Sequence, residues 1–154
     1  MTILVASVHH TGTKLVFDDI LSGVTDKVRI HMEPEFLERL HEYAKGSFII
    51  VPLRHPRIVA EGWKVRSKRR EELGEQYRIL KEEIDPYHPY YLPIEHEERD
   101  QWLEQIGICL GLNLITDWPV IGECTDVRSE LDNKDEYLLS SWMEDGFFKK
   151  FGYS

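Results

Sequence analysis

His9 and His10 run directly into Thr11, Gly12, Thr13 and Lys14, a polar stretch with one glycine between a short apolar run and the start of an apolar helical period. Such a loop suits an anion, because the head of a helix carries unpaired backbone N–H groups and the positive end of a dipole. His31 closes a second short run. An imidazole with an ordinary pKa near ~6.5 can take a proton at neutral pH, which is general base chemistry. Arg54, in Arg54-His55-Pro56, follows a third apolar run, where its planar guanidinium can hold a phosphate by two parallel hydrogen bonds. Each residue also has a plainer reading: a strand-to-helix turn, a hydrogen-bonded histidine at a strand end, or an arginine capping a carbonyl or pairing with a carboxylate.

Four strands are expected to place these groups. Ile3 to Val8 is a short apolar run, Lys27 to His31 alternates, Ser47 to Leu53 is the most strand-like stretch, and Tyr90 to Ile94 is the fourth. Helices are expected over 14–22, from about Pro34 to Gly46, from Arg57 to Ile84, from about Glu97 to Gly111, and near Asp135 to Phe151. Trp63, Leu73, Tyr77 and Leu80 form the inward side of the long charged helix, and Asp85 to Pro89 breaks it. Strands separated by helical segments imply crossovers and a mainly parallel α/β sheet of about four strands flanked by helices. Ligands of such sheets gather at the carboxyl ends of the strands. Those ends carry His9-His10, His31, Arg54-His55 and Glu95-His96.

The 154 residues read as a single domain. No apolar run approaches the ~20 residues of a membrane span, and the N-terminal segment lacks the basic flank of a signal peptide. With 28 acidic against 19 basic residues the net charge is −9, which disfavours nucleic acid and still permits a locally positive cleft for a small anion. Cys109 and Cys124 stand without metal-site spacing, pointing to a reducing cytoplasm and no structural zinc. His96 has Glu95, Glu97 and Glu98 beside it; acidic residues are favoured at helix starts, so the group reads as a solvated helix start and not a metal site. The run Lys64 to Arg70 concentrates five positive charges. It reads as a solvated face paired with Glu71, Glu72 and Glu75, or as a positive rim for an anionic donor.

Taken in order, these pieces resemble the PAPS-dependent sulfotransferases. The phosphosulfate loop of that family, Pro-Lys/Arg-Ser-Gly-Thr-Thr, lies over His9-His10-Thr11-Gly12-Thr13-Lys14. Its 3′-phosphate motif, Arg-Asp/Asn-Pro with a serine eight positions on, lies over Arg54-His55-Pro56 and Gly62. Its Thr-His-Leu-Pro, whose histidine is the base, lies over Ile30-His31-Met32-Glu33-Pro34, and its Tyr-Glu-Asp strand and Leu-Gly-Leu helix end over Tyr91 to Glu95 and Leu110 to Leu112. The resemblance spans most of residues 3 to 120. It implies a three-layer P-loop fold and sulfonate transfer from PAPS, with PAP as product, to the hydroxyl or amine of a small-molecule or carbohydrate acceptor. It also implies His31, His10 and Lys14 in catalysis, and His10, Thr11, Gly12, Thr13, Lys14, Arg54 and Gly62 against the donor.

The chain departs from the pattern in three places: His10 replaces the loop lysine or arginine, Gly62 replaces the 3′-phosphate serine, and a C-terminal Arg-Lys-Gly motif has only Lys149-Lys150-Phe151-Gly152 as an echo. Two rival readings keep the fold. A nucleotide or small-molecule kinase would need a Walker A loop, and here Ser7 stands for its first glycine while Lys14 falls one residue late. A noncatalytic nucleotide-binding or assembly protein would have lost its chemistry at His10 and Gly62.

Overall fold

A computed structural model describes residues 1–66, 68–95, 99–112 and 130–153. His96, Glu97, Glu98, Trp118 and Cys124 lie outside the described residues. Four strands, β1 (Thr2–Ser7), β2 (Lys27–His31), β3 (Ser47–Leu53) and β4 (Tyr90–Pro93), form one parallel sheet in the order β2-β1-β3-β4. Helices cover both faces, giving the three-layer α/β architecture.

Alternation along β1 assigns its residues to two cores. Leu4, Ala6 and Val8 pack on one face with Leu40, Val59, Trp63, Leu73 and Tyr77, which come from α1 (Leu37–Ala44), α2 (Pro56–Val65) and α3 (Arg70–Ile79). Ile3 and Val5 pack on the other with Val16, Ile20, Leu103 and Ile106, from the helical turns after β1 and from α4 (Arg99–Leu110). A strand buried on both faces reads as a continuous apolar run, which is why Ile3 to Val8 contains no polar alternation. The segment after β1 and the segment after β3 therefore lie on opposite faces, so the chain reverses direction between these neighbouring strands. That reversal opens a crevice beyond their carboxyl ends, the usual ligand position in an open parallel sheet.

Two expected helices are corrected. The continuous helix over 57–84 is two helices, α2 and α3, separated at Arg66 to Arg69, where Arg69 takes an extended conformation (φ −82°, ψ 131°). A single helix would stack Lys64 on Lys68 and Arg66 on Arg70, and like charges four apart destabilise it. The break turns Lys64 and Arg70 toward α5 (Asn133–Glu144), where they meet Asp132 and Asp135. The last helix ends at Glu144 instead of running to Phe151, and Gly146 with φ +82° follows; a short turn at Lys149–Phe151 folds back on the core. Asp132 and Asp135 cap α5 reciprocally.

The turns after β1 are wide: Val16 N–H reaches Gly12 O at 3.1 Å and Leu21 N–H reaches five residues back to Val16 O at 3.0 Å. Gly12 enters them with φ +92°, and a Cβ there would sit 2.5 Å from Ile94 Cδ1. Gly12→Ala is expected to lower unfolding free energy by about 1–3 kcal/mol from left-handed strain plus overpacking. Urea denaturation checks this, and adding Ile94→Val, which removes Cδ1, should recover only the packing share.

Candidate functional site

Parallel register sets Ser7 opposite His31, and Met32 N–H continues the ladder to Ser7 O at 2.8 Å. Two residues past Ser7, His9 lies flat on His31: the ring centroids are 3.6 Å apart and the planes are inclined by 11°. His10 stands 5.9 Å from His9, and both rings meet Trp63 edge-on at 6.2 Å. The strand end thus becomes a cluster of three imidazoles and an indole.

Its backbone is held from outside the loop. His9 N–H donates to Gln76 Oε1 at 3.0 Å, and His9 C=O accepts from Trp63 Nε1 at 3.0 Å. Thr11 Oγ1 donates to Val8 O at 2.7 Å and Thr13 Oγ1 to Ser7 Oγ at 2.6 Å, while Ser7 Oγ also stands 3.4 Å from His31 Nδ1. Both loop threonines therefore donate inward and brace the turn. The backbone N–H groups at the helix start have no intrahelical partners.

His9 Nε2 donates a short hydrogen bond to Glu33 Oε1. Glu35 lies against Glu33, whose hydrogen bond pushes the Glu35 carboxyl pKa upward, aided by burial and by the Glu33 charge. Beside them is a cavity of about 380 Å³, bordered by His9, Glu33, Glu35, Trp63, Lys68 and Gln76 among others. Burial lowers the His9 pKa, with the Lys68 charge assisting. His10 is lowered to about 4, first by burial and then by Arg66, Lys68, His9 and His31. His31 is lowered to about 4 by burial, His9 and Arg29, against the opposing pull of Glu33 and the Ser7 backbone. All three rings are neutral at pH 7, so His10 supplies a hydrogen-bonding nitrogen and not the positive charge of a lysine.

The expected site residues divide into two groups. His10, Thr11, Gly12, Thr13 and His31 meet at the ends of β1 and β2, whereas Lys14 is exposed on the first turn after the loop. Arg54, one residue past β3, is 9% exposed, and its charge acts on Tyr153, which also feels the carboxylate of Glu95. Glu95 accepts a short bond from His55 N–H, and its charge, after burial, raises the Tyr77 hydroxyl pKa. Gly62 is buried in α2, with its carbonyl taken by Arg66 Nη1 at 3.0 Å. The basic run splits: Lys64, Arg69 and Arg70 meet carboxylates, while Arg66 and Lys68 bring positive charge to His10. Among the described residues no cluster of three or more potential metal ligands occurs, and no helix is long and apolar enough to cross a membrane.

Glu33, Trp63 and Gln76 complete the site without having been singled out for it from sequence, and His9, read there only as part of the strand end and the loop, becomes its centre. Gln76 had a signal, a polar residue between Leu73 and Leu80 on the inward helical face, and it is 3% exposed. Glu33 had only its position two past His31. No protein-family model, curated protein or solved structure matches the chain.

The lowered imidazoles link stability to pH. His10 and His31 bind protons at 6.5 when unfolded and at about 4 when folded, so between these values the unfolded state holds more protons. Their contribution is complete above pH 6.5 and is lost as pH falls toward 4, on the order of 1 kcal/mol each after allowing for their partial exposure. Urea titrations at pH 7 and pH 4.5 should show a smaller acid-induced loss in His31→Gln than in the wild type.

Proposed function

We propose that the chain is a sulfotransferase-like enzyme that moves a sulfonate group from PAPS to an acceptor hydroxyl or amine, with the donor held at the loop from His10 to Lys14. The observation that carries this reading is His10 Nε2, a buried ring nitrogen with no hydrogen-bond partner, on a residue held at φ +67° beside the loop. A buried polar atom of that kind needs a partner, and a sulfonate or phosphate oxygen provides one when that nitrogen carries the proton. The position supports the same reading: the loop follows β1, the strand beside which the chain reverses direction, where ligands of open parallel sheets bind.

PAPS brings an activated sulfonate bonded to its 5′-phosphate. The protein's share is positioning and charge stabilisation. Backbone N–H groups of Gly12, Thr13 and Lys14 would donate to anionic oxygens, His10 would add a neutral donor, and Arg66 and Lys68 would supply the positive field that the family places on the loop itself. Arg54 fits the donor less directly, since it is nearly buried beside Tyr153.

Titration calorimetry with PAP, ATP and GTP tests the assignment. The wild type should bind PAP with a submillimolar Kd and without magnesium. His10→Ala should weaken PAP about tenfold while leaving the circular dichroism spectrum unchanged. Magnesium-dependent ATP binding that Lys14→Ala abolishes, with no PAP binding, would replace the sulfotransferase reading by the kinase one.

A further inference from the structure

We propose that His9, held by Glu33, is the base that takes the acceptor's proton, in place of His31, and that the cavity bordered by His9 and Glu33 seats the acceptor. This rests on the sulfonate-transfer reading above and extends it to the acceptor half of the site.

His9 is restrained at every polar point but one. Gln76 holds its N–H, Trp63 its carbonyl, Glu33 its Nε2–H, and His31 covers one ring face. With the proton fixed on Nε2, the lone pair lies on Nδ1, which has no hydrogen-bond partner among the described residues and is not fully buried. A carboxylate that orients an imidazole and stabilises the imidazolium is the standard support for a histidine base. His31 lacks this arrangement. It lies behind His9, its Nδ1 faces Ser7 Oγ at 3.4 Å, and it does not border the cavity.

The cavity wall states what kind of acceptor fits. Glu33 and Glu35 offer carboxyl oxygens, Gln76 an amide and Lys68 a single cation, in about 380 Å³. These groups favour a small donor-rich molecule bearing hydroxyls or an ammonium, and disfavour a carboxylate or phosphate. In the step itself the acceptor O–H bond breaks and its proton passes to His9 Nδ1. The freed oxygen pair forms the O–S bond. The S–O bond to the 5′-phosphate breaks, and its pair leaves on the phosphate oxygen of PAP. The imidazolium that forms faces Glu33, whose charge balances it; Glu33 is a positioning residue.

Two arms on the 154-residue chain decide the matter. In the first, diethyl pyrocarbonate at pH 7, mapped by mass spectrometry, reports which imidazole presents a bare, reachable nitrogen. His9 is expected to react at least about tenfold faster than His31, and Glu33→Gln to slow His9 several-fold while Glu33→Asp restores part of the rate. Equal or faster reaction at His31, or no effect of Glu33→Gln, overturns the assignment. In the second, PAP release from PAPS with water as acceptor should fall about 10²-fold in His9→Gln and less than tenfold in His31→Gln, with PAP affinity within about threefold of wild type. The reverse order overturns it as well. Failure of the wild type to bind PAP would instead contradict the donor reading alone, because mapped reactivity at His9 does not depend on the nucleotide.

Discussion

The register of β1 against β2 is the constraint on which the rest of the site depends. Because Ser7 lies opposite His31, His9 leaves the strand on the face of His31, and the grip of Gln76 and Trp63 on its backbone sets its ring on that imidazole. A shift of one residue would send Ser7 and His9 to the other face of the sheet. It would also exchange the two apolar sets of β1, Leu4, Ala6 and Val8 against Ile3 and Val5, each of which is matched to its own helical layer. Packing on both faces therefore enforces the placement of polar groups at the strand end.

Electrostatically the site works against the average of the molecule. The chain carries a net charge of −9, yet His10 is kept neutral by burial and by the positive charges of Arg66 and Lys68. Those two cations reach the loop because the helix breaks between Arg66 and Arg69, while Lys64 and Arg70 turn to Asp135. The same break allows Trp63, at the end of α2, and Gln76, within α3, to grip His9 from adjacent elements. Two neutral stacked imidazoles stand beside a carboxylate pair at a cavity that Lys68 also borders, which sets groups suited to hydrogen-bond donors next to a positive charge suited to anions.

Much of the scaffold was legible because burial on both faces writes itself as apolar runs: all four strands fall within a residue or two of their expected places, and their parallel order follows from the helices between them. The break in the charged helix was legible only in part: like charges four apart disfavour a continuous helix, but the carboxylates that Lys64 and Arg70 turn to, Asp132 and Asp135, lie more than sixty residues away. Within the site, the glycine turn and His31 announced themselves by position at strand ends. His9 was legible as a strand-end residue and no more, because what sets it apart from His10 is hydrogen bonding with Gln76, Trp63 and Glu33, whose convergence only the folded sheet produces. In the sequence Arg54 reads as a fork for a phosphate, with no view of the C-terminal turn, whose Tyr153 feels its charge while the Arg54 side chain is buried.

The central claim is that the loop after β1 receives the anionic donor. Backbone amide shifts of the ¹⁵N-labelled protein on adding PAP measure this residue by residue. The account predicts that the largest changes fall on His10 to Lys14 and on Lys68, with small changes on α4 and α5. Shifts confined to other surfaces, or no shifts at millimolar PAP in the folded protein, would contradict it.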